Sequence, residues 1–387
     1  MSAPTPYAAL ADDLRAPVQA AHQDYLSRRY FSSLNGLRCL CIAAVMWHHS
    51  PFANPEGGPR ILSRGFVGVD FFFVLSGFLI TTLLLREENR TGRIAVGAFY
   101  GRRALRILPV YLLLVTLLAI YWIAFKGQSD IAKLPYYYLF LANFLKEHIP
   151  LLSVTWSLSV EEQFYFLWPA LLVLLPAAAR FRTGLLITLI VICLLISLGL
   201  ADWLGLPRIE TEQAIFKLPG ASYMAVLWGA LTAVLLHQRT GYSWLMAVTG
   251  WRGAPLVFFL TLALYLQLSP PMLVGWAALG MDVLMALCLI SIVIREDHVL
   301  RPVLTFAPVA RVGEVSYGIY LYHLIGLHIA HEIGRRVLPD PSQSLWLVTL
   351  LFVVISIAMA EVSFRTYERF FLSLKGRMSK AAVAERA

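Results

Sequence analysis

Charged side chains are scarce in this sequence: Asp, Glu, Lys and Arg make up 14% of its 387 residues, against about a quarter in ordinary soluble domains. That shortage, with 59% hydrophobic residues and a mean hydropathy of +0.69, excludes a typical soluble globular chain. Cysteine is almost absent as well. The four present, Cys39, Cys41, Cys193 and Cys288, all fall in apolar runs, which argues against a disulfide scaffold or a cysteine zinc site and predicts ordinary buried thiols. The first 30 residues have no basic start followed by an apolar core, and they carry Asp12, Asp13 and Asp24. They do not read as a signal peptide, so the first apolar helix must direct insertion. Low-complexity tracts and solenoid-like repeats are missing. The net charge of +9 is not gathered on a soluble face, and no nucleic-acid partner is expected.

What is present is a series of apolar windows long enough to cross a bilayer. Ten are read, near residues 36 to 53, 66 to 85, 105 to 124, 162 to 179, 184 to 201, 221 to 237, 253 to 269, 272 to 294, 314 to 333 and 345 to 365. The expected fold class is therefore all-α, a polytopic membrane helix bundle of about ten transmembrane helices. With the amino terminus inside, 22 of the 32 Lys and Arg fall on the cytoplasmic side, 9 on the other, and Arg38 within the membrane. The positive-inside rule then puts both termini in the cytoplasm. The expected division is an N-terminal cytoplasmic tail (1–34), a transmembrane domain (35–368) and a C-terminal cytoplasmic tail (369–387), with no appended soluble domain.

Five segments carry polar groups that a plain bundle does not need. Arg38 and His49 lie in the first window, eleven residues apart. That is close to a whole number of turns, so they share a face and are separated by about 16 Å along the axis. Ionisable groups at membrane depth are costly and mark a site, although Arg38 snorkelling to headgroups and an interfacial His48 or His49 would also fit. In Gly65-Phe-Val-Gly-Val-Asp-Phe-Phe-Phe-Val-Leu-Ser-Gly-Phe-Leu-Ile80, Asp70 and Gly77 are two turns apart on one face with Ser76 beside it. Small residues such as Ser76 and Gly77 serve helix packing, but packing does not explain Asp70, which could orient His49 or hold an acceptor hydroxyl.

The third segment puts Arg102, Arg103 and Arg106 just before a window. Arg103 and Arg106 are i, i+3 neighbours whose guanidinium forks can converge on a phosphate; a positive-inside anchor or anionic-lipid contact fits equally. The fourth, Thr155 to Pro169, holds Trp156, Ser157, Glu161 and Glu162. Its carboxylates, framed by aromatics, suit sugar binding or tuning a histidine, while Ser157 with the two glutamates also resembles a helix start. In the fifth, Ser316, Tyr320 and His323 follow an i, i+4, i+7 pattern beside Tyr317. A tyrosine belt is common at the interface, but His323 in mid-run asks for a partner.

Together these blocks resemble the acyltransferase-3 family of integral membrane acyltransferases, over about Asn35 to Tyr367. The Arg-x10-His pattern is met by Arg38 and His49, the Gly-Val-Asp-Phe-Phe-Phe-Val-Leu-Ser-Gly-Phe block by 68–78 and Arg-x-x-Arg by Arg103 and Arg106. The Trp-Ser-Leu-Ser-Val-Glu-Glu-Gln-Phe block falls at 156–164 and Ser-Tyr-Gly-Ile-Tyr-Leu-Tyr-His at 316–323. Two departures are visible: Tyr367-Glu368-Arg369-Phe370 stands where relatives often place Pro after the Glu-basic pair, and the hydrolase-like periplasmic domain fused to some members is not expected here.

The resemblance implies a multi-pass protein of the bacterial inner membrane that moves an acyl group, usually acetyl from acetyl-CoA, to a hydroxyl of a glycan, a lipid-linked glycan or another small molecule. Carried onto this sequence, the catalytic set is His49, Arg38, Asp70, Glu161 and Glu162. Acetyl-CoA, the donor co-substrate, would be held by Arg103, Arg106 and Arg38, and the acceptor side by Trp156, Ser157, Tyr317, Tyr320, His323 and Ser76. His49 would act as general base or transient acyl carrier. No metal is expected, since His48 and His49 lack a third ligand at sensible spacing. Two other readings stay open: a transporter or flippase using the same intramembrane charges as a relay, and acylation of a non-glycan molecule such as a macrolide.

Overall fold

The computed structural model describes residues 18–53, 58–127, 130–337 and 345–374. The chain is a bundle of helices. They are α1 (18–27), α2 (Leu34–His49), α3 (Val67–Thr91), α4 (Val96–Ala119), the short α5 (Leu134–Tyr138), α6 (Thr155–Leu174), α7 (Ala179–Ser197) and the short α8 (Leu200–Trp203). There follow α9 (Ala221–His237), α10 (Arg239–Thr249), α11 (Ala254–Leu268), α12 (Trp276–Val293), the short α13 (Arg301–Leu304), α14 (Ala307–Glu314), α15 (Ser316–Val337) and α16 (Leu345–Ser363). The strand content among the described residues is one small hairpin, β1 (Ile209–Glu210) paired antiparallel with β2 (Ile215–Phe216).

Each of the ten expected windows holds a helix, namely α2, α3, α4, α6, α7, α9, α11, α12, α15 and α16. Among the described residues, five helical stretches are long and apolar enough to cross a membrane: Val67–Thr91, Val96–Phe125, Ala179–Ser197, Trp276–Val293 and Leu345–Leu374. A sixth is reached if α9 and α10, bent by 107° at Gln238, are taken as one. The other windows fall short for physical reasons. α2 and α11 are only 16 and 15 residues long, and α6 and α15 interrupt their apolar runs with polar groups. The result is a polytopic all-α membrane bundle.

Helix boundaries shift two of the expected segments. α4 starts at Val96 and α6 at Thr155, so the arginine trio and the glutamate pair lie within helices instead of ahead of them. The first turn of α6 contains no acidic residue and its N-cap, Val154, makes no side-chain cap. Glu161 and Glu162 are thus not helix-start residues. The N-terminal segment is no free tail where it is described: Tyr25 is buried and the His22 ring lies 3.1 Å from the carbonyl of Leu236. Residues 1–17 and 375–387 of the expected tails lie outside the described residues.

The central packing is carried by α3, which lies against α9 and also touches α2, α6 and α12. Its C-terminal end is tied to α7 by a fork of two bonds from Arg182 to Glu88, 2.6 and 2.8 Å long. At the opposite end of the bundle, Lys146 pairs with Glu210 on the hairpin. That hydrogen bond and charge hold the Glu210 carboxyl below its ordinary range. All four cysteines are free thiols; Cys41, Cys193 and Cys288 are buried and Cys39 partly so.

Candidate active site

α2 and α3 run antiparallel, so Arg28 and Arg38 sit near the end of α3 that bears Arg86 and Arg90, while His49 sits near the end that bears Asp70. Three cavities fill the space between. The first is a vestibule of about 930 Å³ lined by seven arginines, among them Arg29, Arg90, Arg103 and Arg106, against one carboxylate, Glu87. The second is a narrow central chamber of about 100 Å³, bordered by Arg38, Arg103, Arg106, Ser76, Ser157, Glu161, Tyr317 and Tyr320. The third, about 240 Å³, is bordered by His48, His49, Asp70, Trp156, Val154 and Tyr320. Arg103 and Arg106 belong to both the first and second cavities, Val69 and Tyr320 to both the second and third. The cavities therefore follow one another from one end of α2 to the other, about 24 Å at helical rise.

The vestibule arginines differ in how they are occupied. Arg86 donates to the carbonyls of Arg28 and Tyr25 and stacks over Phe31 at 5.1 Å. Arg102 pairs with Glu87 at 3.3 Å. Arg103 lies 3.9 Å over the ring of Tyr165, which fixes its plane at the neck of the central chamber. For Arg29, Arg90 and Arg106 no side-chain partner occurs among the described residues. A cavity with cations on its walls and low-dielectric helices behind them concentrates anions.

In the central chamber Ser76 donates to Glu161 at 2.6 Å, joining α3 to α6, and Arg38 reaches Asn35 at 3.2 Å. Tyr317 donates to the carbonyl of Ile107 at 3.0 Å, which aligns α15 with α4. Glu162 is adjacent but borders none of the three cavities, and its Oε1 has no hydrogen-bond partner.

At His49, Nδ1 lies 3.0 Å from the carbonyl of Val45. A carbonyl only accepts, so Nδ1 carries the proton and the lone pair of the neutral ring is at Nε2. The partner that fixes this ring is thus a backbone carbonyl one turn back, and no hydrogen bond joins His49 to Asp70, Glu161 or Glu162 among the described residues. The rings of His48 and His323 stand edge-on to His49 at 5.0 and 4.8 Å. His323 is fully buried behind His49, with Nδ1 2.7 Å from the carbonyl of Tyr320, and does not border a cavity. These imidazoles with Asp70 do not make a metal site: no group of three or more His, Cys, Asp or Glu among the described residues is placed to hold an ion.

The residues singled out from sequence thus gather along one path: Arg103 and Arg106 at its neck, Arg38, Ser76, Ser157, Glu161, Tyr317 and Tyr320 at its centre, and His49, Asp70 and Trp156 at its far end. Sequence reasoning missed Arg29 and Arg90, which it counted only as topological charges, the carbonyl of Val45, which no side-chain pattern reveals, and Asp282. Asp282 is 1% exposed on α12, neither of its oxygens has a partner, and Asp70 is within electrostatic reach. A lone carboxylate in Trp276–Val293, an otherwise apolar run, was signal enough.

Comparison with known proteins gives the family. The chain is 26% identical over 367 residues to the peptidoglycan O-acetyltransferase OatA of Listeria monocytogenes, covering 88% of this chain and 56% of that protein. It is 28% identical over 365 residues to the putative peptidoglycan O-acetyltransferase YrhL of Bacillus subtilis (88% and 55%). The O-acetyltransferase OatA of Staphylococcus aureus aligns at 26% over 372 residues (88% and 57%). The chain therefore spans little more than half the length of these curated relatives. No solved structure matches it significantly. The family model for the acyltransferase domain matches residues 31–361, a range that holds the lining of the central and far chambers but not Arg28 and Arg29 of the vestibule, and the chain belongs to the acyltransferase-3 family.

Proposed function

We propose that this protein is a multi-pass inner-membrane O-acyltransferase with ten spans and cytoplasmic termini, which takes an acetyl group from cytoplasmic acetyl-CoA and passes it to a hydroxyl of a glycan or lipid-linked glycan. The observation that carries this reading is the ordered series of cavities: an arginine-lined vestibule, a neck at Arg103 and Arg106, and a far chamber lined by His49, whose Nδ1 is engaged by the Val45 carbonyl. A CoA thioester has the matching polarity, polyanionic at one end and reactive at the other, joined by a slender arm.

The chemistry follows from the groups present. The arginine forks hold the phosphates in charge-assisted bonds. The narrow central chamber admits the pantetheine arm, with Arg38 beside it. His49 Nε2 then takes the proton of the acceptor hydroxyl as that oxygen attacks the thioester carbon; the C–O bond forms, the C–S bond breaks, and the imidazolium gives the proton to the departing CoA thiolate. In the two-step route Nε2 itself displaces the thiolate and carries the acyl group until the acceptor oxygen takes it. Trp156, on the wall of the far chamber, offers a stacking face to a sugar ring. The names of the relatives support acetyl as the acyl group and a cell-wall glycan as the acceptor class. A carrier would also use cavities that reach both ends of the bundle; transport that needs no CoA is the result that would favour it.

The test is acetyl-CoA binding and turnover by purified protein in lipid, for wild type, His49→Ala and Arg103→Ala/Arg106→Ala. We expect His49→Ala to keep CoA binding and lose about 100-fold or more in turnover, and the double arginine variant to lose binding. Full transfer by a well-folded His49→Ala would sink the assignment of His49. No CoA binding by any folded sample would sink the donor assignment.

A further inference from the structure

The path from vestibule to His49 passes two junctions, the arginine neck and the wall between the central and far chambers. Tyr320 and Val69 form the shared wall of the central and far chambers, and both are nearly fully buried. Tyr320 is held there by a chain of hydroxyls. Ser157 Oγ is 2.5 Å from Tyr320 Oη, and Tyr320 donates to the carbonyl of Val154 at 3.0 Å. Ser157 also reaches that carbonyl, at 3.1 Å, and either hydroxyl can be the donor between the two, so both hydroxyls cluster on one carbonyl and a side chain of α15 is pinned across α6 at the point where the chambers meet. Phe72 and His323 pack on the same ring, at 6.5 and 5.7 Å between centroids.

The geometry points to Tyr320 as the seal that determines whether the acyl group goes to the acceptor or to water. This rests on the acyl-CoA reading given above. A thioester in the central chamber approaches from an aqueous vestibule, and the far chamber must open to a hydroxylic acceptor. If the two were joined permanently, water could enter from either side and attack the same carbonyl carbon: the C–O bond forms, the C–S bond breaks, the thiolate takes the proton, and acetate and CoA result. With Tyr320 closed, the carbonyl meets His49 only when the ring moves aside. An acceptor seated against Trp156 and Val154 is next to the hydroxyl lock and can displace it, so opening is tied to occupancy. Tyr320 acts by controlling passage and takes no part in bond making.

The test measures two things. The first is the ratio of acceptor-independent acetyl-CoA hydrolysis to acyl transfer, in wild type, Tyr320→Ala, Tyr320→Phe and Ser157→Ala. The seal predicts a ratio raised about tenfold or more in Tyr320→Ala, and raised less where the ring stays but the lock is lost. A purely structural role would lower both activities together and leave the ratio unchanged. The second uses an anionic, membrane-impermeant thiosulfonate applied from the vestibule side of sealed inside-out vesicles to a cysteine placed in the far chamber, Ser153→Cys, with wild type as background for Cys39. Labelling is expected only when Tyr320→Ala is also present. Labelling from the opposite side in both backgrounds shows that the chamber is intact. An unchanged ratio together with protection of Ser153→Cys in Tyr320→Ala would overturn the proposal while leaving the donor assignment standing. Labelling across Tyr320→Ala in a protein that turns over no acyl-CoA would do the reverse.

Discussion

Gly77 on α3 and Gly229 on α9 lie on the two sides of a backbone-to-backbone helix contact. A Cβ on Gly77 would land on the backbone carbonyl of Val226, and one on Gly229 on the carbonyl of Val74. The missing side chains let the two backbones touch, which is how membrane helices gain packing energy where the lipid supplies no hydrophobic drive. Because both obstacles are backbone, neither can rotate away. Gly77→Ala or Gly229→Ala should each destabilise the protein by about 1–3 kcal/mol, read as a fall in thermal unfolding temperature in detergent. Gly97→Ala, with nothing within 4 Å of the added carbon, should change it little.

The same pair of neighbours shows what a sequence discloses and what it withholds. Ser76 and Gly77 both suit helix packing by residue type, and Gly77 has that role. Ser76, one position earlier and so rotated by about 100°, instead donates to Glu161, 85 residues later in the chain. Helical periodicity assigns residues to faces, but which partner occupies a face depends on tertiary packing. For the same reason His49 was identifiable from its cost in an apolar run, whereas Val45 as its orienting partner was not, since every residue has a carbonyl. The apolar windows located the ten helices because burial in lipid or in neighbouring helices demands them. Their ends were less legible at α4 and α6, where arginines and glutamates looked like boundaries but lie within the helices, most of them lining the path. A double-mutant cycle on Ser76→Ala and Glu161→Gln should give a coupling of about 1–2 kcal/mol in stability; additive effects would mean that the bond contributes nothing.

The tie between Arg182 and Glu88 makes a sharper stability prediction. Arg182 is 2% exposed and meets both oxygens of Glu88, so the fork is desolvated on the arginine side and geometrically complete. Removing one member of such a pair leaves the other uncompensated, at a cost of about 3–5 kcal/mol when fully buried. Glu88 is partly open to water, which places Arg182→Ala near the lower end of that range. Arg182→Lys should also destabilise, because an ammonium cannot bridge two oxygens in one plane. The measurement is the urea or thermal unfolding midpoint in detergent, and an unchanged midpoint in Arg182→Ala would show that the pair is only a surface contact.

The vestibule's charge should be visible in salt dependence before any acceptor is known. Seven arginines face one carboxylate there, and Glu87 is already engaged by Arg102, so the cavity presents a large net positive charge to an incoming polyanion. Charges at the mouth act through water and are screened within about 10 Å at 0.1 M salt, whereas Arg103, partly buried against the Tyr165 ring at the neck, is less open to screening. Affinity for acetyl-CoA should therefore fall as salt rises. Arg90→Ala, at the exposed end of α3, should weaken binding by about two- to fivefold at low salt and flatten the dependence, with little effect at high salt. Arg103→Ala, at the neck, should weaken binding at all salt concentrations. Arg208→Ala is the control, since Arg208 pairs with Asp202 elsewhere on the surface and borders none of the three cavities. Calorimetric titration of acetyl-CoA at several ionic strengths would separate the three. Equal, salt-independent behaviour of Arg90→Ala and Arg208→Ala would mean that the vestibule does not receive the phosphates.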